Sequence, residues 1–262
     1  MKKELVVKSN RIVEASYRLT LNEQRIILYA ICRSREEQKG LFPDLPVTIT
    51  AETFAKQFPS IDKINPYKQL REAMEILYDR SVTYYDIDED TGLPRVNKTR
   101  WLSQSSYIDG AGHVQVIFTP AIIKHINRLE REFTSYQLEK VGNMTSAHAI
   151  RIYEMLAQYR EIGSRELELI WLRSALQMEE DEYKLTADLK KWIIDVSVEQ
   201  INKHTDLMVS YKPKKTGRAI TSFLFKIKGK ERPVKASNGK SKDQLEREKL
   251  EKLGQQRIDE EF

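Results

Sequence analysis

The sequence predicts an α+β fold in which two units trace one order of elements, and three observations carry that expectation. Residues 185–230 read as a helix followed by a strongly basic β-hairpin. Residues 20–108 and 145–228 each give helix, short strand, helix, helix, strand, strand, a repeat of architecture without sequence identity between the halves. The length, 262 residues, suits two domains of roughly 100–150 residues each. Helix plus hairpin wing in this order is what a winged helix requires, so the chain is predicted to hold two tandem winged-helix (winged helix-turn-helix) domains in pseudo-repeat. The first is expected at residues 1–135 and the second at 136–232, joined through 131–142. A charged, flexible tail is expected at 233–262.

Each element has a local signal. Thr20-Leu-Asn-Glu23 has the form of a capping box opening a helix to about residue 35. Ile26, Ile27, Leu28, Ala30 and Ile31 leave little of that helix polar, which marks it as central. Residues 47–49 suit a short strand, and Thr50 caps a helix to about residue 58. Asn65 and Pro66 form an N-cap followed by proline in the first turn. The helix they open, to about residue 80, sets Leu70, Ala73, Met74, Leu77 and Tyr78 on one face, with Lys68 and Arg71 off it. Residues 81–86, 98–108 and 114–118 read as strands, and Pro120 starts a helix reaching about residue 130.

The second unit opens where Thr145 or Ser146 caps a helix to residue 160, with Ile150, Tyr153, Leu156 and Ala157 as its stripe. A minimal strand at 167–169 and a short helix at 170–177 follow. After the acidic turn at 179–182 comes the long helix. Leu189, Trp192, Ile193 and Val196 give it one apolar stripe, and Ile194, Val198 and Ile201 a second. Residues 207–211 and 220–227 are β-prone strands, joined through 212–218, where Gly217 can take the positive φ of a tight turn.

Charge adds function to this pattern. Between Met208 and Arg232 stand Lys212, Lys214, Lys215, Arg218, Lys226, Lys228, Lys230 and Arg232 against Glu231 alone, a net +7 where the whole chain carries +5, which leaves −2 for everything else. A helix set in the major groove with a basic hairpin along the phosphates is how a winged helix holds duplex DNA. The plainer alternative is a lysine-rich hairpin serving solubility and edge protection.

Other classes lose support. Cys32 is the one cysteine, so intrachain disulfides are impossible, and it reads as core. No run approaches the roughly 20 apolar residues of a membrane span. The apolar patch near Met1 is too short for a signal peptide, so a cytoplasmic protein is expected. His113, His125, His148 and His204 stand apart, without the His-x-His pair of a nicking enzyme. No phosphate-binding glycine loop and no zinc spacing occur. The acidic run at 86–90 is expected to be simply solvated. Neither enzymatic activity, a metal nor any cofactor is predicted.

Four segments together resemble the plasmid replication initiators of the RepE, RepA and Pi type. They are Arg11-Ile-Val-Glu-Ala-Ser-Tyr-Arg-Leu-Thr20 with Glu23-Gln-Arg-Ile26, Ala147-His-Ala-Ile-Arg-Ile-Tyr-Glu-Met-Leu-Ala-Gln-Tyr159, Asp188-Leu-Lys-Lys-Trp-Ile-Ile-Asp-Val-Ser-Val-Glu-Gln-Ile-Asn202 and Gly217-Arg-Ala-Ile-Thr-Ser-Phe-Leu-Phe225. The resemblance spans about residues 10–230 in the same order. It implies an initiator that binds origin iterons as a monomer. It also implies a homodimer, formed largely through the first domain in equilibrium with the monomer, that binds an operator inverted repeat and represses its own gene. Host initiator and replicative helicase are the implied partners. By position, Lys190 and Lys191 fall on the recognition helix, and Lys214, Lys215 and Arg218 in the wing.

On this reading Lys184, Thr186, Lys190 and Lys191 enter a major groove, while Lys212, Lys214, Lys215 and Arg218 hold phosphates. Lys68 and Arg71 add a weaker contact from the first domain. Trp192 departs from the basic run of some members, and Asp195 and Glu199 occupy the outward strip, so only the helix's first two turns are expected to face DNA. The alternative in the same class is a winged-helix repressor with no role in replication.

Overall fold

In the computed structural model, which describes residues 4–230 other than 43, 44, 62, 63, 128 and 130, the first element is a strand with no counterpart among the predicted ones. This strand, β1 (Leu5–Ser9), runs into α1 (Asn10–Glu14), whose N-cap Ser9 accepts a hydrogen bond from the Ile12 amide. Helix α2 (Leu21–Glu37) opens with the expected capping box, Thr20 and Glu23 bonding reciprocally across the first turn. It is buried without a break from Glu23 to Cys32, as its all-round apolar sequence predicts. β2 (Val47–Thr50), α3 (Ala51–Gln57) and α4 (Pro66–Asp79) follow, with Thr50 and Asn65 as the N-caps.

Next comes a difference from the predicted repeat. The stretch expected as one strand, 98–108, is two: β4 (Pro94–Arg100), paired with β3 (Ser81–Ile87), and β5 (Leu102–Tyr107), paired with β6 (His113–Phe118). Trp101 divides them. Its ring is fully buried, edge-on to Tyr17 at 5.0 Å, and the chain changes sheet there. β2 joins the second pair in the order β2-β6-β5. The wing of the first winged helix is therefore β5–β6, and the β3–β4 hairpin is an insertion ahead of it. The pseudo-repeat runs to Phe118 rather than 108.

Helix α5 (Pro120–Ile123) is four residues long, not the eleven expected. The segment expected as a linker holds β7 (Phe133–Gln137), antiparallel to β1, and α6 (Glu139–Gly142). The second winged helix is built from α7 (Ala147–Ala157), β8 (Ser164–Glu168), α8 (Leu169–Ala175), α9 (Thr186–Leu189), a π turn at Lys190–Asp195, α10 (Val196–His204), β9 (Leu207–Thr216) and β10 (Ala219–Gly229). Its sheet order, β8-β10-β9, repeats that of the first.

The two halves are fastened through buried polar groups that carry no hydrophobic signature. α7 is buried on all sides from Ala149 to Leu156, Arg151 and Glu154 included, rather than along one stripe. Lys8 of β1 lies 2.6 Å from the Glu154 carboxylate, which also accepts from the Tyr136 hydroxyl at 2.6 Å. Arg151 donates to the carbonyls of Val13 at 2.9 Å and Ala15 at 2.7 Å. Burying charge is costly unless it is paired and hydrogen-bonded, and here the charges are paired and, apart from Arg151 Nε and Glu154 Oε2, hydrogen-bonded. The described residues up to Gly229 form one compact unit; the tail expected at 233–262 lies outside the described residues.

Candidate nucleic-acid interface

The long helix of the second winged helix is set by its π turn. Leu189, Ile193, Ile194, Ser197 and Ile201 are buried on one side. Trp192, expected in the core stripe, is instead 53% exposed, and Val196 is half-buried. A π turn rotates less per residue than an α-helix, so Ile193 and Ile194 both reach the core while Trp192 swings out. The predicted pair of opposed stripes is thus one broad buried face.

Ahead of this helix, Arg173 fastens the acidic turn by donating to the carbonyls of Glu179 and Glu182, both at 2.8 Å. Arg18 makes a two-pronged pair with the Glu182 carboxylate at 2.9 and 2.7 Å, which holds that carboxyl below its usual range. Lys184 emerges exposed from this fixed turn, and Thr186 is the first residue of α9. Lys191 is exposed, its ammonium 4.5 Å from the Trp192 ring centroid. Lys190 is tied down. Its ammonium is 3.0 Å from an Asp195 oxygen and 5.7 Å from the Tyr211 ring centroid, and the Tyr211 hydroxyl donates to the other Asp195 oxygen. Hydrogen bonding to Tyr211 and Asp195 raises the Lys190 pKa. Partial burial pushes the Asp195 carboxyl up, but the bonds from Tyr211 and Lys190 outweigh it and hold it below its usual range.

The wing strands are longer than the sequence suggests. Lys212, Lys214 and Lys215 lie within β9, and a two-residue turn, Gly217 (φ +62°) and Arg218, links it to β10. Alternation along a strand sorts these cations by face. Lys215 shares the parity of Tyr211, the side that meets the helix, whereas Lys212 and Lys214 point the other way. Lys226 and Lys228, exposed on β10 opposite Ser210 and Met208, join Lys212 and Lys214 on that outer face. Lys214 is 2.5 Å from Glu166 of β8, which also accepts from Ser222 at 2.5 Å. The Lys214 bond, then that of Ser222, lowers the Glu166 pKa.

The first winged helix presents a different surface at the matching place. Lys68 is 3.8 Å from Glu72, and Arg71 pairs with Asp109 of the β5–β6 turn at 2.9 Å and with Glu75 at 3.3 Å, its guanidinium 4.9 Å from the Tyr107 centroid. Of the ten residues singled out by sequence, the five cations Lys184, Lys191, Lys212, Lys215 and Arg218 are exposed and form no ion pair among the described residues. All five belong to the second winged helix, while Lys68, Arg71, Lys190 and Lys214 are each already paired with a carboxylate. Sequence reasoning left out Lys226 and Lys228, which strand parity could have found, and Tyr211 and Asp195, which only the π turn brings together.

Elsewhere the acidic run is not simply solvated. Arg95 bridges Asp86 and Asp88, each at 2.8 Å, and its hydrogen bonds hold the Asp86 carboxyl down to about 2. Among the described residues no group of three or more His, Cys, Asp or Glu is placed to hold a metal ion, and no helix is long and apolar enough to cross a membrane.

Comparison with known proteins bears on most of the chain. Residues 5–157 match the family described as Initiator Replication protein, WH1, and residues 168–227 match Initiator Rep protein, WH2. An uncharacterized 27.6 kDa protein of Escherichia coli is 25% identical over 241 residues, 89% of this chain and 98% of that one. The fold resembles that of the Pi initiator protein in its complex with iteron DNA, with a TM-score of 0.70 and 17% identity over 88% of this chain and 100% of the other. The WH1 domain of a replication protein isolated from a multiple sclerosis patient is 36% identical, covering 45% of this chain and 88% of that domain, with a TM-score of 0.36.

Proposed function

Because this chain belongs to the Initiator Replication protein family, we propose that it binds repeated duplex sites, the iterons of a plasmid origin, and starts replication there by grip rather than by bond-breaking. The observation that carries this reading is that five cations of the second winged helix, one in the turn before the helix, one on the helix and three on the wing, are exposed and form no ion pair among the described residues. That the Pi protein binds iteron DNA with the same fold supports it.

In this mechanism Lys184, Thr186 and Lys191 enter a major groove from the fixed start of the helix, where lysine paired to guanine edges contributes on the order of 1–3 kcal/mol per contact. Lys212, Lys215 and Arg218 take phosphates, and Lys214 joins them by exchanging Glu166 for a phosphate. Lys190 stands at the groove edge. Residues 136–232 thus carry the main recognition. Residues 1–135 supply dimerisation and an accessory contact through Lys68 and Arg71, which must likewise give up carboxylates. Linking two contacts raises the effective concentration of the second once the first has formed. The monomer occupies iterons, the homodimer represses the gene at an inverted repeat, and host initiator and replicative helicase are recruited.

The test is titration of a duplex carrying direct repeats of a site that the protein selects from a randomised pool, against a scrambled duplex, at several salt concentrations. Neutralising roughly 6–10 phosphates predicts a fall of about 10³–10⁵ in affinity between 50 and 200 mM salt. A flat salt response, or equal affinity for both duplexes, overturns the reading. A repressor without a replication role would bind the repeats yet fail to sustain a reporter plasmid that lacks its own initiator.

A further inference from the structure

We propose that Lys190, Asp195 and Tyr211 are positioning residues, a clamp that fixes the angle between the helix and the wing of the second winged helix, so that Lys190 acts on recognition through the wing and not by reaching a base. This rests on the DNA-binding reading above and deepens it.

The clamp exists because of the π turn. In an α-helix, five residues on turns a side chain about 140° away, so positions 190 and 195 would face different sides. In a π turn hydrogen bonds run from i to i+5 and bring the two into line. Lys190 and Asp195 meet at 3.0 Å across that turn, and Asp195 is thereby presented to the Tyr211 hydroxyl. Lower on the same strand, the Asn202 carboxamide accepts from the Val209 amide at 2.6 Å and donates to its carbonyl at 2.9 Å. Tyr211 is hydrogen-bonded to the helix and stands one residue before the run of wing cations. Beyond it the strand runs out to Lys212, Lys214, Lys215 and Arg218. The tie at Tyr211 therefore governs where those cations stand relative to Lys184 and Lys191. The Tyr211 ring is wedged 5.7 Å from both Phe223 and Phe225, which gives the tie a rigid base.

Charge makes the inference testable by its sign. Asp195 is an acidic group beside a surface that meets a polyanion, so removing its charge should tighten binding if Coulomb attraction were the whole account. If Asp195 positions the wing, removing it should weaken binding.

The experiment uses the full chain, a duplex selected by the wild-type protein from a randomised pool, and a scrambled duplex as control. Asp195→Asn and Tyr211→Phe are each expected to weaken binding to the selected duplex about five- to tenfold, with scrambled binding unchanged in Tyr211→Phe and no weaker in Asp195→Asn. Tyr211→Phe keeps the ring and every charge, so a folding defect would show as equal loss on both duplexes and would overturn the proposal. Lys190→Arg is expected to retain affinity and Lys190→Met to lose it at unchanged salt slope. Tighter binding by Asp195→Asn overturns the clamp, as does a slope lowered by about 0.9 in Lys190→Met, the mark of one lost phosphate contact. Wild-type protein that selects no duplex overturns the DNA-binding reading and the clamp together, whereas wild-type selection with unaffected variants overturns the clamp alone.

Discussion

The Lys8 ammonium and the Glu154 carboxylate meet at 2.6 Å with both side chains closed to solvent, so a strand near the start of the chain is locked to the first helix of the second winged helix by a buried charge pair. Removing Lys8 leaves the Glu154 carboxylate with only the longer, 3.9 Å ion pair to Arg151. Lys8→Met should therefore destabilise the fold by about 3–5 kcal/mol. Lys8→Met combined with Glu154→Gln should recover part of that loss, since no carboxylate is then buried without its ammonium and Arg151 keeps the Val13 and Ala15 carbonyls. Urea unfolding midpoints of the two variants check the order, and a double variant no better than the single would show that the pair does not act as a unit.

The capping box at Thr20 starts the central helix α2, with both reciprocal hydrogen bonds in place. Thr20→Ala removes one of them and should cost about 1 kcal/mol, read as a lowered thermal midpoint with an unchanged circular dichroism spectrum at 25 °C.

Cys32 is 1% exposed, and burial pushes its thiol pKa well above the ordinary value. The thiolate is the reactive form, so iodoacetamide at pH 8 should leave the native protein unlabelled and modify it only after denaturation. As the one cysteine in the sequence, it gives a labelling rate that reports opening of the first winged helix. Rapid labelling under native conditions would contradict the packing around α2.

Helix and wing cations should separate by kind of loss. Lys191→Ala is expected to cost about 1–3 kcal/mol on a selected duplex and little on a scrambled one. Lys215→Ala should weaken both alike and lower the salt slope by about 1. Binding isotherms at three salt concentrations resolve the two patterns, and identical behaviour of the two variants would remove the distinction between groove and phosphate contacts.

Lys214 and then Ser222 hold the Glu166 carboxyl below its usual range. A lowered folded-state pKa means that the tie between β8 and the wing is present above the ordinary carboxylate value and is lost as pH falls through the lowered midpoint. In a pH titration of the side-chain carboxyl followed by NMR, Lys214→Met should move the Glu166 midpoint up toward the ordinary value. Duplex DNA should do the same if Lys214 exchanges Glu166 for a phosphate.

Elements whose logic is local were legible in the sequence. The Thr20 box, the Asn65-Pro66 start, the Thr50 and Ser146 caps, the buried run of α2 and the positive φ at Gly217 all depend on a few adjacent residues. The strand β7 was within reach, because Phe133, Thr134 and Tyr136 are β-prone residues. The split at Trp101 was not, since nothing in the run 98–108 says that its two ends pair with different partners.

The sequence by itself determined that there are two winged helices in order, and that cationic charge gathers on the last hairpin. Periodicity and composition survive being read one residue at a time. Tertiary structure alone decided which of those cations are free. Whether a lysine has a carboxylate within reach depends on chain segments far apart in sequence, as with Lys214 and Glu166 or Arg71 and Asp109. At Lys190 it depends on a π turn, and five residues of spacing mean opposite things in an α-helix and in that turn.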